Sequence, residues 1–103
     1  MRVDIGSTNV STAGTRVQLS SDAGINANDR VLWAHFKASP GNSGIAYVGI
    51  SDVSATHGWA LENNDDIGLT IDLGAFGGSI FASEIYFDVA TNNDDVLWAL
   101  VLE

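Results

Sequence analysis

The sequence predicts an all-β domain: a single antiparallel β-sandwich or barrel of about seven or eight short strands, jelly-roll-like in character. Three observations predict it. Apolar and polar residues alternate over short stretches, the period of a half-buried strand. Asn, Asp, Gly and Pro turn signals recur about every ten residues, the spacing of sandwiches and barrels. No window carries a capped apolar pattern of helical period. The 103 residues, 46% of them hydrophobic, suffice for one domain and one core.

Each element follows from its pattern. Residues 1–10 show little periodicity and read as an N-terminal arm, leaving 11–103 as a single β domain. Thr15 to Ser20 alternates, with Val17 and Leu19 on one side. Arg30 to Ala38 sets Leu32, Ala34, Phe36 and Ala38 on the core side and Val31, Trp33, His35 and Lys37 opposite. Ser39-Pro40-Gly41-Asn42 is a turn, because proline presets φ and glycine tolerates a positive one. Ile45 to Ile50 is a strand with apolar residues on both faces, and Trp59 to Leu61 is a short extended piece. Ile67, Leu69, Ile71 and Leu73 alternate with Gly68, Thr70 and Asp72. Ile85 to Val89 alternates in turn, and Val96 to Leu102 is apolar on both faces, as a central or covered strand would be. The expected core is Leu32, Phe36, Val48, Leu69, Ile71, Phe87 and Leu100.

Thirteen acidic residues against Arg2, Arg16, Arg30 and Lys37 give a formal charge of −9. Nucleic-acid binding requires a basic footprint, so no nucleic acid is expected as a partner. The same charge disfavours anionic membrane surfaces. No apolar run approaches the length of a membrane span or a signal peptide, which points to a soluble compartment and no membrane partner. Without cysteine, disulfides and thiolate metal sites are excluded.

Residues with chemistry to offer are few. His35 alternates with Trp33 and Lys37 and reads as a rim residue. His57 shares the loop Ser51 to Gly58 with Asp52 and Ser54. A catalytic triad, however, needs its members presented by separate elements beside an oxyanion hole, so this loop reads as a polar turn and no enzyme is expected. Asn63-Asn64-Asp65-Asp66 and Asn92-Asn93-Asp94-Asp95 lack the alternating acids of a calcium loop. They suit tight hairpin turns, and no metal or cofactor is expected. Val31-Leu32-Trp33-Ala34 recurs as Val96-Leu97-Trp98-Ala99, either two equivalent strands or a coincidence of similar ones. Aromatic side chains anchor interfaces, fill small cores and form sugar platforms; Trp59, at a loop end after a glycine, suits all three roles. The candidate contact residues are Met1, Arg2 and Val3 of the arm, with Trp33, His57, Trp59 and Trp98.

The run Ala46-Tyr47-Val48-Gly49-Ile50-Ser51-Asp52-Val53-Ser54, followed by Gly58-Trp59-Ala60-Leu61, resembles a pattern of small β-rich virion proteins of tailed bacteriophages. Ser11 to Ser20 resembles the opening of such proteins, and Ile85 to Ala90 with Val96 to Glu103 resembles their end. Where their usual turn carries Pro-Gly, this chain has Asn63-Asn64. The resemblance implies a capsid cement or decoration protein, made in the host cytoplasm and seated on the virion capsid surface. It implies the major capsid protein lattice as partner and a homo-oligomer, a trimer. The alternatives are a tail- or fibre-associated binding module and a carbohydrate-binding sandwich.

Overall fold

A computed structural model describes residues 1–21, 24–62 and 67–103. The chain is all-β, with two antiparallel sheets packed face to face. The first sheet has the order β1 (Arg2–Val10), β9 (Asp94–Leu102), β3 (Arg30–Ala38), β6 (Leu69–Asp72), with β7 (Ile80–Phe81) also paired to β3. The second has the order β2 (Val17–Gln18), β8 (Tyr86–Val89), β4 (Ala46–Gly49), β5 (Trp59–Leu61). Single 3-10 turns at Leu19–Ser21, Gly74–Phe76 and Ala82–Glu84 join strands.

The core lies between the sheets. Register places Gly6, Trp98, Phe36 and Leu69 in one row across the first sheet, and Asp4, Leu100, Ala34 and Ile71 in the next. From the second sheet come Phe87, Val48, Val89 and Ala46. Phe36 and Phe87 meet edge-on across the interlayer at 5.6 Å, the geometry favoured by the ring quadrupoles. β9 is central in its sheet, flanked by β1 over all nine residues and by β3 from Val96 to Leu102.

Polar atoms are satisfied at the end where strands turn. Asp94, almost fully buried, accepts the backbone N–H groups of Ser43 and Gly44, each at 3.0 Å. Asn42 forms a two-way pair with the Asp95 backbone, and Asn9 donates to Asp95 Oδ1. Asn93 takes a positive φ of 68°. Residues 91–94 are thus a turn, with the Asp94 N–H donating to the Thr91 carbonyl, that carries the chain from β8 in one sheet to β9 in the other and closes no hairpin. The Asp94 carboxylate holds two backbone amides and that of Asp95 a side-chain amide. Asn63 to Asp66, the other such motif, lies outside the described residues.

Three sequence expectations are corrected, and one left open is decided. Met1 to Val10 is not an arm: Arg2–Val10 is strand β1, paired with β9 over all nine residues. Its pattern is hard to read because hydropathy does not follow the faces of its unbroken pleat: the apolar Val3 and Ile5 face outward, while Asp4, Gly6 and Thr8 share the inward face with Val10. In β3, a bulge between Val31 and Trp33 shifts the register, so Val31 is buried and Leu32 only half-buried. Leu69 and Ile71 are likewise half-buried, since β6 lies beyond β3 at the side of its sheet, whereas Phe36, Val48, Phe87 and Leu100 are buried. The same bulge separates the repeated tetrapeptides: Trp98 points into the core and Trp33 out of it, so the two are not equivalent.

Candidate functional site

Two surfaces gather exposed apolar side chains. The first is a cleft of about 200 Å³ between the sheets. Val31, Ala34 and Ile71 line it from the first sheet, Val48 and Trp59 from the second, and every lining residue is apolar or glycine. Register explains its mouth. Trp59 pairs with Val48 and so shares its inward side, but β5 is the outermost strand of its sheet. Its indole is therefore 60% exposed, beside Ile50 at 55%.

The loop after β4 holds this mouth in place. Val53 is buried, its N–H donates to the Ile50 carbonyl, and Ser54 and His57 exchange two backbone hydrogen bonds. Asp52 and His57 pair at 3.1 Å on the exposed side. Ser54 Oγ lies 3.3 Å from Thr56 Oγ1, so the hydroxyl serves the turn and not the imidazole. Gly49, Ile50, Gly58 and Trp59 join His57 in a shallow hollow next to the cleft.

The second surface is the outer face of the first sheet. Val3, Val101 and Trp33 form one row, and Ile5, Ala99 and His35 the next. Trp33 stacks on His35 at 6.3 Å, and His35 Nδ1 lies 2.7 Å from Thr70 Oγ1. Val3 and Ile5 are mostly exposed because they stand on the outermost strand.

The expected contact residues thus divide among three places. Met1, Arg2, Val3 and Trp33 belong to the first sheet's edge and outer face, and His57 and Trp59 to the cleft mouth. Trp98 belongs to neither. It is buried, and its Nε1 donates to Thr8 Oγ1 at 2.9 Å, so it serves the core and is unavailable to a partner. Sequence reasoning missed Ile50 and Ile5. An apolar residue ending a strand, or standing in an unpatterned segment, carries no local sign of exposure.

Among the described residues, no group of three or more His, Asp or Glu side chains is placed to hold a metal ion. No family model matches this sequence, and no curated protein or solved structure is significantly similar to it.

Proposed function

We propose that this protein is a binding module of a larger assembly, attaching to protein through the mouth of the inter-sheet cleft. The observation that carries the reading is the pairing of exposed Trp59 and Ile50 over an all-apolar cleft. Aromatic anchors and desolvated pockets are the features that concentrate binding energy at protein interfaces. A cleft of this size accepts one large apolar side chain from a partner. The loop bearing the mouth is fastened by buried Val53, which reduces the ordering that association requires.

Within that class, the resemblance to tailed-phage virion proteins supports a capsid cement or decoration protein on the virion capsid surface. Its mechanism would be mass action: a protein that binds only the assembled lattice stabilises that lattice. The excess of acidic residues suits a partner surface that is basic or neutral. Particles with and without the protein, heated in parallel, test this. The decorated particles are expected to melt higher, and equal melting would contradict the cement role.

Trp59 also favours a second reading, a tail- or fibre-associated or carbohydrate-binding module, because an exposed indole forms a platform for a sugar ring. Quenching of tryptophan fluorescence by glycans, abolished in Trp59→Ala, would favour it.

A further inference from the structure

We propose that a second copy of this chain pairs with β1 edge to edge, antiparallel, about a two-fold axis at Val3. The inference is independent of the lattice reading. β1 ends the order of its sheet, so among the described residues one side of its nine-residue backbone has no strand partner. An unpaired edge is a template for another strand, and a register centred on Val3 pairs Met1 to Ile5 of it.

Charge selects the partner and the register. Two copies of a chain with net charge −9 repel, so self-association needs local complementarity. One of the chain's four basic residues, Arg2, stands on this edge two residues from Asp4. In a two-fold antiparallel pair that keeps inner faces together, centring on Arg2 or Asp4 sets like charges opposite each other. Centring on Ile5 or Gly6 sets both charges against neutral residues. Centring on Val3 sets Arg2 opposite Asp4 of the second copy, twice over.

The same register joins the exposed apolar residues. Met1 falls opposite Ile5, and Val3 opposite Val3, side chains that are 91%, 77% and 67% exposed in the single chain. Both charges retain capacity for the contact. Arg2 Nη2 is occupied by Asp29 Oδ2 at 2.9 Å and the Gly24 carbonyl at 3.1 Å, while Nη1 has no partner among the described residues. Asp4 has only a 3.7 Å approach to Arg2 Nε among those residues. The pairing also continues the row Val3, Val101, Trp33 across the axis into one broad outer face.

A two-fold contact closes as a dimer, not as the trimer that the resemblance implies. Sedimentation of the whole chain at high micromolar concentration is expected to show a dimer. Asp4→Arg is expected to give monomer, and Arg2→Asp combined with Asp4→Arg to restore the dimer. Residues directly opposite in an antiparallel pair bring Cβ atoms about 4.5–5.5 Å apart. In this cysteine-free chain, Val3→Cys should therefore form a disulfide-linked dimer on oxidation, and exposed Ser7→Cys should not. These cysteine variants leave the charges intact and report the register even where a charge variant unfolds. A monomeric or trimeric wild type, or linking through Ser7→Cys in preference to Val3→Cys, would overturn the inference.

Discussion

Gly6 lies against the indole of Trp98: a Cβ on Gly6 would stand 2.7 Å from Trp98 Cη2 and 2.8 Å from Cζ2. The two are register partners on β1 and β9, on the face turned to the core. Glycine is required here by the neighbouring ring, which leaves no room for a side chain. Gly6→Val is expected to destabilise by ~1–3 kcal/mol, the usual range for overpacking. For a domain of this size each kcal/mol lowers Tm by about 4–8 °C. Ser7→Val, one residue on and facing solvent, should change stability by under ~0.5 kcal/mol. Thermal melts of the two variants make the comparison.

Thr8 extends the same contact. Its Oγ1 accepts the Trp98 indole N–H inside the core, where water cannot replace it. Thr8→Val preserves shape and removes the acceptor. A loss of ~1–3 kcal/mol is expected, the cost of a buried donor left unsatisfied. Denaturant titration should show a lower midpoint with an unchanged slope.

Asp94 ties the turn between β3 and β4 to the start of β9 through the Ser43 and Gly44 amides. Asp94→Ala leaves two amides without their acceptor and is expected to cost about 2–3 kcal/mol. Hydrogen exchange should quicken first at Ser43 and Gly44. Unchanged exchange there would show that the carboxylate does not hold the turn.

Deleting Met1 to Val10 is expected to abolish the native fold, because it strips β9 of its partner on one side. A truncated chain that kept a cooperative thermal transition and its β-type circular dichroism would contradict the structure of this strand.

These cases show which parts of the fold were readable from sequence. Strict alternation identified β3, β6 and β8, and apolar character on both sides marked β9 as central or covered. Turn chemistry identified Asn92 to Asp95 as a turn, since Asn93 takes a positive φ, but not that it crosses between the sheets instead of closing a hairpin. What escaped were an inverted face and a bulge. In β1 the apolar Val3 and Ile5 fall on the outward face and Asp4, Gly6 and Thr8 on the inward one, and the bulge near Leu32 inverts the start of β3. Local periodicity assumes that the apolar face is the buried one and that the pleat is unbroken, and each assumption fails once. β7, two residues long, exists only because β3 is beside it. The site was half visible: Trp59 and His57 stood out by type, but Ile50 gains its meaning from the cleft beneath it.

The binding mouth is the central claim, and Ile50→Asp tests it most directly. Ile50 is exposed, so the substitution should leave the melting temperature nearly unchanged while placing a charge at the apolar mouth. Under the proposed cement role, the measurement is co-sedimentation of wild type and Ile50→Asp with phage particles that lack the protein. Wild type is expected to saturate at a fixed number of copies per particle, with Ile50→Asp remaining in the supernatant. Equal binding by the two would contradict attachment through the cleft.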